Sequence, residues 1–297
     1  MAMTRDPKEI LKKIRRIELR TRRLVNSMFA GQYHSVFKGR GMNFEEVREY
    51  APGDEIRSID WNVTARMNAP YIKKYTEERE LTVMLLVDVS ASGMFGSVEL
   101  SKRELAAEVA SILAFSAINN NDKVGLILFT DRIELFIPPK KGRLHTLRLI
   151  REMLYFEPEG RGTDLAGALD YLNLVVSRRS VVFMISDFLA PDFTKSLTVS
   201  SKRHDLVAMP VVDKGESELP NVGIITLEDA ETGAQIDVNT GSKAVRRALH
   251  EINNERLDDL EYLLRSRRVD IVRLSTTEDY LIPLRNFFEL RERRQAA

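Results

Sequence analysis

The sequence predicts an α/β fold, a doubly wound and mostly parallel sheet with an N-terminal helix and a small irregular β extension. Three observations lead there. From residue 81 onward, continuous apolar runs alternate with stretches of helical period, the pattern of strands covered on both faces by helices. Residues 7–29 place Ile10, Ile14, Ile17, Leu24, Val25 and Met28 near one helical face, among many lysines and arginines. Residues 31–80 follow neither period and are cut into short pieces by glycines, Pro52-Gly53-Asp54 and Pro70.

Taken in order, the basic helix over 7–29 reads most simply as a surface helix that lays its apolar side on the domain. Docking to a partner or an anionic membrane is the sharper alternative. The extension over 31–80 can hold at most small strands and turns. Its many aromatic residues (Tyr33, Phe37, Phe44, Tyr50, Trp61, Tyr71, Tyr75) argue against a solvated tether. Strands are expected at 81–88, 123–130, 133–137, 180–187, 205–212 and 269–274. Helices are expected at 99–119, 143–155, 164–178, 191–202, 243–267 and 279–294. The 133–137 run follows its predecessor through Asp131-Arg132, which predicts a hairpin and an antiparallel edge. A second hairpin, 224–228 with 234–238, turns at Thr232-Gly233. The expected domains are therefore 1–80, helix and extension, and 81–297, the α/β domain with a hairpin insertion near 222–240.

Composition narrows the function. With 45 basic and 44 acidic residues the net charge is +1, so no overall field draws the chain to nucleic acid. The absence of cysteine excludes disulfides and thiolate metal sites and fits a reducing cytosol. The N-terminus lacks the apolar core of a signal peptide, and the apolar runs fall short of the roughly 18–20 residues of a membrane span, so a cytoplasmic location is expected. There is no GxxxxGK[ST] loop, so nucleotide binding is not expected. The histidines (His34, His145, His204, His250) are scattered and carry no assigned chemistry.

The chemistry lies in LLVDVSASG, residues 85–93. A buried run stops at Asp88 and is followed by hydroxyls at Ser90 and Ser92. In an open parallel sheet the carboxyl ends of the strands are where ligands bind. Thr163, in GRGTDLAGAL ahead of a helix, and Asp187, at the end of SVVFMISD, belong to loops at the same edge. Two carboxylates and three hydroxyls form a hard-oxygen set suited to Mg²⁺ or Mn²⁺, with water completing the shell. The plainer alternative is that Ser and Asp cap turns and helices, as Thr163 and Asp164 could for the following helix.

The pattern Asp88-x-Ser90-x-Ser92, Thr163, Asp187 resembles the metal-ion-dependent adhesion site (MIDAS) of von Willebrand factor A domains, a Rossmann-like fold. The preceding GRGMNFEEVREYAPGDEIRSIDWNVTAR and the closing TTEDYLIPLRNFFELRERR resemble the bacterial family known as domain-of-unknown-function family 58. The resemblance covers nearly the whole chain. It implies a non-enzymatic, metal-dependent protein-binding module, an adaptor or chaperone-like partner of a MoxR-type AAA+ ATPase, recognising proteins through an acidic ligand. Two rivals stand beside it. A Mg²⁺-dependent phosphohydrolase would use a strand-end Asp, but a second Asp is wanted two positions on, where Ser90 stands. A membrane-surface adaptor would use the basic helix. Within PGDEIRSIDW, Asp54, Glu55, Arg57 and Asp60, with nearby Arg66, read as an ion-pair framework tying the extension to the domain, with Trp61 as an apolar anchor; a docking surface is the alternative.

Overall fold

The computed structural model describes residues 7–25, 36, 43–56, 59–67, 69–76, 80–97 and 100–296. The chain divides into two compact units, one from Met1–Val36 with Thr82–Ala297 and the other from Phe37–Leu81. The first unit opens with helix α1 (Pro7–Leu24). The small unit holds β1 (Asn43–Glu49), α2 (Trp61–Met67) and β2 (Tyr71–Thr76).

The large unit continues with β3 (Thr82–Asp88), α3 (Lys102–Asn119), β4 (Lys123–Phe129), β5 (Ile133–Lys140), α4 (Arg143–Tyr155) and α5 (Leu165–Val175). It goes on with β6 (Val181–Ser186), α6 (Thr194–Arg203), β7 (Asp205–Val212) and a hairpin of β8 (Ile224–Glu228) and β9 (Gln235–Asn239). It closes with α7 (Lys243–Ser266), β10 (Asp270–Ile271), β11 (Leu274–Ser275) and α8 (Leu281–Ala296). The central seven-stranded sheet runs β10-β7-β6-β3-β4-β5, with β11 also on β7. All pairs are parallel except β4 with β5, the expected antiparallel edge.

The doubly wound architecture follows from the strands' composition. Along β3 every residue from Val83 to Asp88 is buried, so both faces need cover. Met84 and Leu86 join Ile127, Phe129, Val182 and Met184 in a core closed by Leu169 and Leu172 of α5, Leu197 of α6 and Leu264 of α7. Alternation sends Val83, Leu85 and Val87 to the opposite face. There α3 packs, itself apolar almost all round, with Leu105, Val109, Ile112 and Leu113 buried. Its start is set by a reciprocal capping box between Ser101 and Glu104.

Helix α1 lies against α3 and α4, with Ile14 and Ile17 buried. Arg143 Nε meets Glu18 Oε1 at 2.6 Å and Arg20 Nη1 meets Glu108 Oε2 at 3.3 Å. The plainer reading fits the described part of this helix, where Ile14, Ile17 and Val25 are buried; residues 26–29 of the expected helix lie outside the described residues. Among the described residues no helix is long and apolar enough to cross a membrane.

Several expectations change. The grouping of residues 1–80 divides differently, because α1 packs within the large unit while Phe37–Leu81 cluster among themselves. The extension contains a helix, α2, where only strands and turns were expected; Asp60 Oδ1 accepts from the Asn62 and Val63 backbone N–H at 3.0 and 3.3 Å and starts it. Trp61, expected as an apolar anchor, is 67% exposed. Of the expected ion-pair residues, Asp54 is paired with Arg48, a residue of the same unit. Arg48 forks Asp54 at 2.9 and 2.8 Å, while Arg57 lies outside the described residues. The run 269–274 is two short strands, β10 and β11, both on β7.

A candidate cation site at the strand ends

Strands β3 and β6 are parallel neighbours with Val87 opposite Ile185, so Asp88 and Asp187 emerge side by side at their carboxyl ends. Asp88 Oδ1 accepts from Ser90 N–H at 2.9 Å, and its Oδ2 accepts from Ser186 Oγ at 2.6 Å. Ser90 Oγ lies 3.0 Å from Ser92 Oγ. Asp187 Oδ1 accepts from Leu189 N–H at 3.0 Å. The residue between, Phe188, sits at φ 56°, a left-handed conformation that an aromatic residue adopts only under constraint.

Thr163 comes from the loop between α4 and α5. That loop is fixed by Glu134, whose Oε1 accepts from Thr130 Oγ1 at 2.8 Å and from Gly160 N–H at 2.7 Å. Ala91 N–H donates to Arg161 O at 3.0 Å, joining this loop to the Asp88–Ser92 turn. Asp164, not Thr163, caps α5, accepting from Gly167 N–H at 2.9 Å. The Thr163 hydroxyl donates instead to Glu231 Oε1, 2.8 Å away, in the turn of the β8–β9 hairpin. Asp88, Ser90 and Ser92 are thus linked by hydrogen bonds, Asp187 lines the same void as Asp88 and Ser92, and the Thr163 hydroxyl is held by a different acid.

The buried neighbour that sequence reasoning missed is Lys102. Its Nζ donates to Asp187 Oδ2 at 2.7 Å and to Glu216 Oε1 at 2.5 Å, with the lysine side chain 3% exposed. A cation in the first turn of a helix opposes the macrodipole, so the two carboxylates are what hold it there. Burial alone would depress the Lys102 ammonium, but the charges of Asp187 and Glu216 outweigh it and hold the pKa above the usual range. Burial would likewise raise Asp187, yet the Lys102 charge and hydrogen bond keep it low. Asp88 has no such partner. Burial first, then the Asp187 charge, pushes its carboxyl up to about 6. Burial also raises Glu231, with Asp187 and Asp229 adding to the rise.

Glu134 and the strand-end Asp213 were missed as well. Asp213 Oδ2 accepts from Ser97 N–H at 3.0 Å and Thr276 Oγ1 at 2.6 Å, tying the loop after the serines to the segment following β11. Glu134 reaches the Gly160 loop, and Asp213 reaches Ser97 and Thr276, from distant parts of the chain, although Asp213 also forms a local capping box with Glu216.

The donor set fits a small hard cation. A void of about 20 Å³ is lined by Asp88, Ser92, Gly93, Lys102 and Asp187 among others. That is room for one water-sized particle. Among the described residues no three His, Cys, Asp or Glu side chains converge as metal ligands, so hydroxyls and water would have to share the shell with two carboxylates. Beside it a cleft of about 680 Å³ runs past Ser90, Met94, Arg103, Tyr155 and Arg161.

Gly160 controls how closely the Thr163 loop approaches. A methyl there would lie 2.1 Å from Thr130 Oγ1 and 2.2 Å from Asp131 Oδ1. Gly160→Ala is therefore expected to lose about 1–3 kcal/mol of stability as the loop is pushed off the sheet edge. Denaturant unfolding measures this, and an unchanged midpoint would show that the loop yields without cost.

A family model described as "Protein of unknown function DUF58" matches residues 46–258. The uncharacterized proteins Mb1516 of Mycobacterium bovis and Rv1480 of Mycobacterium tuberculosis are each 31% identical to this chain over 291 residues, covering 97% of it and 91% of their own length. Uncharacterized protein YeaD of Bacillus subtilis is 29% identical over 178 residues, 60% of this chain and 42% of YeaD. Among solved structures, the conserved hypothetical protein BatB from Bacteroides thetaiotaomicron is matched at TM-score 0.47 and 15% identity over 72% of this chain and 99% of BatB. The SpRpn10 VWA domain is matched at TM-score 0.35 and 13% identity over 45% of this chain and 76% of that one.

Proposed function

The chain belongs to the DUF58 family, and from that premise we propose that it is a non-enzymatic protein-binding module whose docking point is a divalent cation, Mg²⁺ or Mn²⁺, held by Asp88, Ser90, Ser92, Thr163 and Asp187. One observation carries the reading: two carboxylates from adjacent parallel strands stand beside a water-sized void that Ser92 also lines. Asp88 and Asp187 would hold the ion directly or through water, and the hydroxyls would orient it without neutralising it. Bound there, the ion supplies an electrophilic centre for one more oxygen, which suits an Asp or Glu of a partner protein. The neighbouring cleft would take the residues flanking that acid. The partner class suggested by the family resemblance is a MoxR-type AAA+ ATPase, with this chain as adaptor. The donors all sit at one sheet edge, and Lys102 is fully engaged by Asp187 and Glu216. That engagement takes Lys102 out of use as a phosphate-gripping group, which favours a binding role over phosphoryl transfer.

Calorimetric titration of Mg²⁺ and Mn²⁺ into the wild type and Asp88→Ala tests the site. The expected result is binding by the wild type and a loss of at least about a hundredfold in the variant, since half of the ligand charge is gone. A partner ATPase or an acidic peptide should then bind only with metal present. Equal metal uptake by both proteins, or partner capture indifferent to metal, would overturn the reading.

A further inference from the structure

The chain guards the edges of its main sheet and leaves one small edge open. Strand β5, the antiparallel edge of the central sheet, ends in Pro138-Pro139-Lys140 and carries register shifts against β4, while the opposite edge is closed by the two-residue strands β10 and β11. Prolines, lysines, bulges and very short strands are what keep an edge from pairing with another chain. Strand β8 (IITLE) has no proline, no lysine and no bulge, and its register with β9 is unbroken from Ile224 opposite Asn239 to Glu228 opposite Gln235. Among the described residues β8 and β9 pair only with each other. A two-stranded hairpin is marginal in water, and a third strand is what gives such an element independent stability.

The hydrogen bonds fix which groups are free. Asp229 N–H donates to Ala234 O at 2.8 Å and Thr240 N–H to Gly223 O at 2.7 Å, so in the antiparallel alternation the bonded pairs continue through Ile225 with Val238 and Leu227 with Ile236. The N–H and C=O of Ile224, Thr226 and Glu228 therefore point away from β9, in a row that meets no other strand among the described residues. On β9 the corresponding row is partly in use, since Asn239 O accepts from Ser242 N–H at 3.2 Å where the chain turns into α7. The two faces differ. Ile225, Leu227, Ile236 and Val238 share one, with Ile236 64% exposed; Thr226, Glu228, Gln235 and Asp237 share the other with Ile224. From residue 222 to 240 the chain carries Glu228, Asp229, Glu231 and Asp237 and no lysine or arginine, and none of these acids is in an ion pair among the described residues.

We propose that the free edge of β8 is a docking strand for an extended segment of another protein, one that alternates basic and apolar residues. Its backbone would pair with Ile224, Thr226 and Glu228, as in strand addition to an open sheet edge. Its apolar side chains would extend the Ile225 and Leu227 face, and its lysines or arginines would lie beside Glu228 and Asp237 on the other. Charge selects this occupant over a second copy of the chain. Two β8 edges brought together would set one acidic hairpin against another, which like charge disfavours, whereas a basic strand is attracted along its whole length. The Thr163 hydroxyl, bonded to Glu231 at 2.8 Å, holds the hairpin turn, so the edge is presented in a fixed orientation. This surface needs no metal and stands apart from the cation site.

The test uses the full chain in EDTA and two short synthetic peptides, one alternating lysine with valine and one alternating glutamate with valine. Binding is followed by fluorescence anisotropy of the labelled peptide, and amide hydrogen exchange is read residue by residue. The lysine peptide is expected to bind, more weakly in high salt, and the glutamate peptide is not. Exchange at Ile224, Thr226 and Glu228 should slow on binding, while Gln235 and Asp237 on the far edge stay unchanged. Thr226→Pro removes an outward N–H that β9 does not use, and is expected to bind the lysine peptide at least about tenfold more weakly. Protected Ile225 and Leu227 amides show that the hairpin of this variant is intact. Glu228→Lys keeps the backbone and tests charge alone; its preference for the lysine peptide should fall about tenfold. No binding of the lysine peptide, equal affinity for both peptides, slowing on the β9 edge only, or variants that bind as the wild type does would each overturn the proposal. A wild-type dimer in sedimentation that Thr226→Pro turns into monomer would overturn it too, by giving the edge to a second copy.

Discussion

Lys102→Met is expected to lose about 3–5 kcal/mol of folding stability, because it leaves Asp187 buried without its cation. Both side chains of that pair are 3% exposed, so water cannot stand in for the ammonium. Glu216, the second partner, is less enclosed at 25% exposure and is expected to contribute less. Urea unfolding of the wild type and Lys102→Met measures the loss, and a change below about 1 kcal/mol would mean the pair behaves as a surface bridge. Removing the acid as well should restore part of the stability. Asp187→Asn with Lys102→Met is expected to be less destabilised than the sum of the two single variants, since neither buried charge is then left alone.

The same variant probes the cation site from another direction. A divalent ion beside Asp187 would replace the missing ammonium, so Mg²⁺ or Mn²⁺ should stabilise Lys102→Met more than it stabilises the wild type. Ligand linkage gives about 2.7 kcal/mol at a hundredfold excess over the dissociation constant. A variant that is destabilised yet indifferent to added metal would separate the ion-pair role of Lys102 from any metal chemistry at Asp187.

Lys102 also marks the limit of what the chain displays before folding. The strands were legible because burial on both faces writes itself as uninterrupted apolar runs: LTVMLLVD became β3 and SVVFMISD became β6 within a residue at either end. Asp88 and Asp187 were legible for the same reason, as charges where such runs stop. The electrostatic frame around them was not. Lys102, Glu216 and Glu231 are separated in sequence from the groups they meet and look like ordinary surface charges; only the crossover connections bring them to one edge. The helix α2 was hidden by its brevity, and Trp61 shows that aromatic content does not by itself guarantee burial.

A second large effect concerns acid. His204 is 1% exposed, between the end of α6 and the start of β7, and burial followed by the charges of Arg203 and Arg179 pushes its pKa down to about 4. The adjacent Asp205 does not offset this, being paired with Arg291. The ordinary value near 6.5 applies to the unfolded chain, so between about pH 6.5 and 4 the unfolded state binds more protons than the folded one. The contribution of His204 is thus fully present above pH 6.5 and is lost as pH falls through 4. At about 1.36 kcal/mol per pKa unit it amounts to roughly 3 kcal/mol in all, of which roughly 2 is gone by pH 5. Asp88 acts in the opposite sense: its raised pKa means the metal-free folded state gains stability as pH falls through about 6. The wild-type profile should therefore be shallow, and the difference between proteins carries the signal. His204→Met, which removes the titrating group while keeping volume, should gain on the wild type by roughly 2 kcal/mol between pH 7 and pH 5 in denaturant unfolding. Parallel pH profiles for the two proteins would mean that the imidazole takes its proton without leaving the core.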